Sequence, residues 1–473
     1  MNGRPVFSTA RPALSDKRTM EPSNPDILNP AIFVIIMLLG IASIFLPRKY
    51  SLFPLFIVAA YVTLGQYVII AGANFTMLRI LVVFAFARAL VRSDYGSFSL
   101  NGLDKAMLAW SVSAVVTYTL LWQDGHAFVN RMGLCFDTVG VYFACRLYLL
   151  DIDDITRIFS LCAMLVIPLA AAMLYEYFSG KNLFAVLGGV PAISEIRYGR
   201  VRCQGSFGHP ILMGTFGATM LPLVLSLWWQ QRVARTLVVL GAISCCVIVA
   251  CSGSSGALMA TVYGVAGLLF WFLRDSMRIV RWGIVLTLII LQLVMKSPFW
   301  YILARLSSLT GGTGWHRAYL IDQAIRYINE WWLVGTKVTS HWMPTGLLLD
   351  PSNTDITNQY LLEGVNGGLV TMIIFIVIVV LGFKYVGRTV RIIDKEDFPV
   401  RILVWSMGAA LFAHAISFVS VSYFDQIKVF WYFLIAAIAI SADFAAEFSL
   451  PGILAPSVSL QPVQGDKTIG LTG

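Results

Sequence analysis

Along the chain, long apolar runs alternate with short polar connectors, and the apolar residues fill each run continuously instead of alternating in and out. A helix that crosses about 30 Å of hydrocarbon needs about 20 residues, and about thirteen runs approach that length. In the first half they cover 31–46, 52–71, 75–90, 106–122, 134–150 and 158–175. In the second half they cover 211–229, 236–251, 257–272, 282–295, 369–383, 402–419 and 429–440. Continuous filling predicts helices and argues against a membrane β-barrel, whose strands alternate. The pattern therefore predicts an all-α, polytopic transmembrane bundle over residues 30–446, with polar tails at 1–29 and 447–473. The first run is short, which leaves twelve and thirteen spans both open.

Composition agrees with the pattern. Of the 473 residues, 58% are hydrophobic and 12% charged, and the mean hydropathy is +0.77. Soluble domains carry about a quarter charged residues. The net charge of +9 does not point to nucleic acid, because the basic residues recur at every second connector, as cytoplasmic loops do. These connectors hold Arg48 and Lys49; Arg88, Arg92 and Lys105; Arg146 and Arg157; Arg232 and Arg235; Arg274, Arg278 and Arg281; and the stretch from Lys384 to Arg401. The alternation puts the C-terminus inside and the two long connectors, 176–210 and 296–368, on the outer face. It also puts the N-terminal tail outside, against the basic residues Arg4, Arg11, Lys17 and Arg18. The seven cysteines give neither a disulfide framework nor a zinc spacing.

Candidate chemistry concentrates in the two outer loops. Arg197, Arg200 and Arg202 lie close together beside the Gly-rich stretch 203–208 and His209, a set that suits phosphate oxygens or, alternatively, a membrane interface. In the longer loop, Ile321, Ala324, Ile325, Ile328 and Trp332 recur at helical spacing between Trp315 and Leu333. That spacing predicts a surface amphipathic helix with Arg317 at its start, after the Gly-rich turn 311–314. His341 and Asp355 follow; each also has a plain reading, as a surface histidine and as a helix cap. Inside the runs the ionisable residues are Arg79, Asp137 and His414, the last two either a pair or separately satisfied.

Taken in order, Glu176 and Gly180, then Arg202-x-x-Gly205-x-x-x-x-Pro210, then the turn 252–257, resemble the O-antigen ligase and O-antigen polymerase superfamily. Arg317, the stretch 331–335, the stretch 355–360 and Glu363 to Gly368 resemble that family's signature outer loop. The resemblance implies metal-independent, cofactor-free inverting glycosyl transfer at the outer face of a bacterial inner membrane. The implied donor is a glycan on undecaprenyl pyrophosphate, and the acceptor a glycan or lipid hydroxyl. It implies Arg202 and Arg317 as pyrophosphate-stabilising residues, Asp355 or His341 as the base, and Arg200, His209, Asn358 and Tyr360 as substrate contacts. Where the family carries a histidine before the asparagine, this chain has Thr357, which cannot act as a base at neutral pH. Competing classes are a transporter or flippase of lipid-linked sugars and a non-catalytic scaffold of a polysaccharide-export system.

Overall fold

The computed structural model describes residues 29–448, apart from 64, 71–72, 94, 97–98, 198, 306–313, 344–351 and 425. Every predicted run but the second coincides with a helix over most of its length. In chain order these are α1 (Pro30–Phe45), α2 (Phe53–Tyr61), α3 (Met77–Arg92), α4 (Gly102–Trp122), α5 (Gly125–Tyr148) and α6 (Ile152–Ser179). There follow α7 (Pro210–Ser226), α8 (Arg235–Cys251), α9 (Ser255–Leu269) and α10 (Met277–Val294). Two surface helices, α11 (Gly314–Arg326) and α12 (Ile328–Trp331), precede α13 (Gln359–Ile392), α14 (Phe398–Ser417) and α15 (Ile427–Phe448). Among the described residues, six helical stretches are long and apolar enough to cross a membrane, including Ile152–Ser179, Gln359–Ile392 and Ile427–Ala446.

The second predicted run is a correction. Residues 52–71 do not form one helix: α2 has 9 residues, about 13 Å at the α-helical rise. The chain then enters an antiparallel hairpin, β1 (Tyr67–Ile70) with β2 (Ala73–Thr76). Its aromatic and β-branched residues suit strand geometry, and their hydropathy alone had hidden the change.

Small residues bring the central helices together, as expected where apolar side chains meet no water and packing decides association. A Cβ on Gly214 of α7 would sit 2.6 Å from Ala257 Cβ, and one on Gly267 of α9 would sit 3.0 Å from Ala409 Cα of α14. Buried ion pairs and caps gather the basic connectors at one end. Arg146 pairs with Asp104 at 2.9 Å and with Asp443 at 2.7 Å, while Arg48 pairs with Asp154 at 2.7 Å. Arg88, fully buried, donates to the carbonyls of Ser43, Ile44 and Leu46, each at 2.7 Å, closing the end of α1. The opposite end carries both long loops and the start of α1, where Asn29 N–H donates to Gln66 Oε1 at 2.8 Å. Asp137 and His414 are not a pair: Asp137 holds Arg79 through two bonds of 2.6 and 2.8 Å, and His414 Nδ1 meets the Tyr423 hydroxyl at 2.7 Å while its Nε2 is buried without a partner among the described residues.

Candidate functional site

Three separate parts of the chain hold Arg202. It closes β4 (Arg200–Arg202), which pairs with β3 (Glu195–Arg197) in the register Glu195 to Arg202 and Arg197 to Arg200. Strand alternation therefore puts Glu195, Arg197, Arg200 and Arg202 on one face of the hairpin. Arg202 Nη1 donates to Glu195 Oε2 at 2.8 Å. The next residues are tied to Glu176 in the last turn of α6. Its buried carboxylate accepts from the N–H groups of Gln204 (3.1 Å) and Gly205 (2.9 Å) and from the Ser194 hydroxyl (3.0 Å). From a third side comes the turn between α8 and α9. A Cβ on Gly253, at φ +56°, would lie 3.1 Å from Arg202 Cγ, and Cys203 N–H donates to the Cys251 carbonyl at 3.0 Å. The first three sequence motifs thus serve one guanidinium.

The second loop is built on an interlock. Gly335 and Gly368, at φ +98° and +74°, let two backbones approach: Thr336 N–H donates to Val365 O at 2.9 Å and Leu369 N–H to Trp332 O at 2.8 Å. The Trp331 ring fits against Gly364, where a Cβ would come within 2.5 Å of it. This clamp seats α11 and α12 on the start of α13. The buried side of α11 is His316, Leu320, Gln323 and Ala324, whereas Ile325 and Trp332 of the expected apolar face are about half exposed. The helix also breaks at Tyr327, between α11 and α12, instead of running to Leu333.

Arg317 sits in the first turn of α11. Its Nε is buried and has no hydrogen-bond partner among the described residues. Leaving a buried charged donor unpaired costs about 1–3 kcal/mol or more, which a bound anion would relieve. Next to it, His316 Nε2 lies 3.2 Å from the Asp355 carbonyl oxygen. Thr357 Oγ1 is likewise buried without a partner among the described residues.

Electrostatic coupling joins the two loops. Arg197 acts on both Arg202 and Arg317, and burial together with that neighbouring charge pushes both guanidinium pKa values down. Glu195 opposes the shift at Arg202 and Asp355 opposes it at Arg317. Burial raises the Asp355 pKa, against the pull of His316 and Arg317. At His209, burial first and the charge of Arg202 second lower the pKa, so the ring is neutral at pH 7. The cluster therefore contains Arg197, Arg202, Arg317, His209, Glu195 and Asp355.

The remaining expected contacts are distributed differently. His209 is the N-cap of α7: its Nδ1 accepts from Ile211 N–H at 3.2 Å, which leaves Nε2 to carry the proton. Arg200 is exposed, and its cross-strand partner Arg197 is the arginine coupled to Arg317. Asn358 and Tyr360 serve the framework. Asn358 caps α13 and donates to Val419 O at 3.3 Å, while the Tyr360 hydroxyl donates to Ala415 O at 3.0 Å. His341 is turned to Glu330, with Nε2 2.9 Å from Oε2, and packs against Tyr327; no contact to Asp355 or Arg317 is present among the described residues. Residues 311–313 of the Gly-rich turn lie outside the described residues. No protein-family model matches the chain, and no curated protein matches it.

Glu195 and His316 were not singled out as site residues in the sequence, and Arg197 stood there only as one of three arginines that together suit an anion. The signal for Arg197 was present, because strand alternation groups it with Arg202, two positions beyond Glu195. His316 gives no such signal, since its role depends on the docking of the loop around Asp355.

Proposed function

We propose that the chain is a multi-pass membrane glycosyltransferase that moves a glycan from an undecaprenyl-pyrophosphate carrier to an acceptor hydroxyl at the outer face of the bacterial inner membrane. The observation that carries this reading is Arg317 Nε, buried without a hydrogen-bond partner among the described residues, in a loop that shares Arg197 as a charged neighbour with Arg202 of the other loop. Three guanidinium groups around one polar cluster suit a leaving group that gains charge as it departs.

In the proposed step the acceptor oxygen bonds to the anomeric carbon from the face opposite the pyrophosphate. The anomeric carbon to phosphate-oxygen bond breaks, and its electron pair leaves with the carrier pyrophosphate. The hydroxyl proton passes to Asp355, the carboxylate coupled to Arg317. His341, engaged by Glu330, is not assigned as the base. Arg197 and Arg317 stabilise the departing charge, and Arg202 contributes from its pair with Glu195. His209 Nε2–H supplies a neutral donor.

Cells lacking the native gene test this when they carry wild type, Arg317→Ala or Asp355→Ala at matched membrane levels. Loss of polymerised or ligated glycan in both variants supports the transferase. Glycan at wild-type levels in both would refute it and favour a transporter or scaffold.

A further inference from the structure

A cavity of about 370 Å³ lies among α3, α4, α5, α13 and α15, in the half of the bundle nearest the long loops. None of the residues assigned above to the transfer step lines it. Its volume falls within the range of small-molecule sites, about 300–1,000 Å³. Its wall combines indole and phenol rings with paired charges. Trp110 Nε1 donates to Glu363 Oε2 at 3.0 Å, and Gln359 Nε2 donates to Glu363 Oε1 at 2.6 Å. Asp137 holds Arg79 across another part of the same wall, and Thr138 donates to the Tyr432 hydroxyl at 2.9 Å. Ionisable groups in a predominantly apolar bundle are costly, and those that face a cavity mark a ligand or pathway.

One ring of the cavity wall touches the arginine cluster at His209. Phe424 lines the cavity, and the ring centroid of Phe424 lies 6.4 Å from that of His209. Gln359, another lining residue, follows Asn358 directly after the loop that carries Asp355 and Thr357.

We propose that this cavity is a glycan subsite that holds the sugar end of the acceptor beside the arginine cluster. Aromatic faces suit the C–H faces of pyranose rings, and carboxylate and guanidinium edges suit their hydroxyls. The wall sets Arg79, Arg131 and Lys428 against Asp137 and Glu363, so its charges nearly balance and a hydroxyl-rich occupant fits better than a strongly charged one. Naming that occupant as the acceptor rests on the transferase reading.

The test uses the whole protein in detergent micelles and two probes: undecaprenyl pyrophosphate, and the oligosaccharide freed from the host's lipid-linked glycan by mild acid. The free oligosaccharide is expected to bind wild type. Trp110→Phe, which keeps a ring but loses the indole donor, and Asp137→Asn are expected to weaken that binding about tenfold or more while undecaprenyl pyrophosphate still binds. Peptide mass spectrometry supplies a readout without substitution. Cys135 lines the cavity, whereas Cys246 is exposed elsewhere, so the oligosaccharide should slow maleimide labelling of Cys135 and leave Cys246 unchanged. Unslowed labelling of Cys135 at oligosaccharide concentrations that saturate binding, or equal oligosaccharide binding by both folded variants, would overturn the subsite. So would absence of oligosaccharide binding to wild type. If the oligosaccharide protects Cys135 but undecaprenyl pyrophosphate does not bind, the glycan subsite stands and the transferase reading falls.

Discussion

His316 Nε2 meets the backbone carbonyl of Asp355 at 3.2 Å, tying the head of α11 to the loop before α13 at the point where Arg317 and Asp355 come under each other's charge. The contact explains how two residues separated by most of the outer loop share one environment. It makes His316 a positioning residue in the proposed transfer. His316→Ala should lower kcat more than it weakens undecaprenyl pyrophosphate binding, and His316→Gln, which retains a donor, should recover part of the rate. Equal losses in both quantities would instead indicate a general collapse of the loop.

Glu176 offers a test of the framework. Its buried carboxylate accepts two backbone N–H groups and one hydroxyl. In Glu176→Gln one oxygen becomes an N–H donor facing donors, at a cost of about 1–3 kcal/mol. Thermal unfolding in detergent should show a lower midpoint, together with faster proteolysis within residues 194–206.

Gly253 supports Arg202 from behind. Gly253→Ala must place a side chain at φ +56° against Arg202 Cγ, a strained backbone that costs about 1 kcal/mol. Transfer should fall more than membrane abundance does, because the displaced group is the Arg202 stem. Quantitative blotting beside glycan output separates the two effects.

Burial moves the pKa values of two groups in opposite directions. Burial raises the Asp355 pKa, so the acid limb of the rate profile should lie above the ordinary carboxylate value of about 3.9, and activity should fall as Asp355 takes up a proton. Asp355→Asn should abolish most of the rate and the limb with it. Burial lowers the His209 pKa from its ordinary 6.5. The unfolded chain then binds the proton more readily, so this contribution to stability is present above pH 6.5 and is lost as pH falls below it. His209→Asn, which keeps a capping acceptor, should flatten that part of a stability profile; an unchanged slope would contradict the assignment.

Helix positions were legible because each depends on a continuous apolar run, a property of the local sequence alone. The hairpin after α2 was not, since Tyr67 to Ile70 is as apolar as a helix and only pairing with residues 73–76 distinguishes it. In the site, Arg202 and Arg317 stood out by type and context. Choosing Arg197 over Arg200 required knowing how the hairpin faces α11. The engagement of His341 by Glu330, and of Tyr360 by Ala415, arises from tertiary contacts that residue type does not reveal. The surface helix kept its predicted start, and of its apolar stripe Ala324 is buried while Ile325 is about half exposed, because the body of the protein determines which side is covered.

The central claim is that Arg317 stabilises a departing pyrophosphate. The most direct measurement is release of undecaprenyl pyrophosphate from lipid-linked glycan by the purified protein, comparing wild type, Arg317→Lys and Arg317→Ala with matched unfolding midpoints. Loss of one such charge-stabilising donor typically lowers rates by about 10²–10³-fold, so Arg317→Ala should fall by that order and Arg317→Lys by less. Release by folded Arg317→Ala at the wild-type rate would contradict the claim.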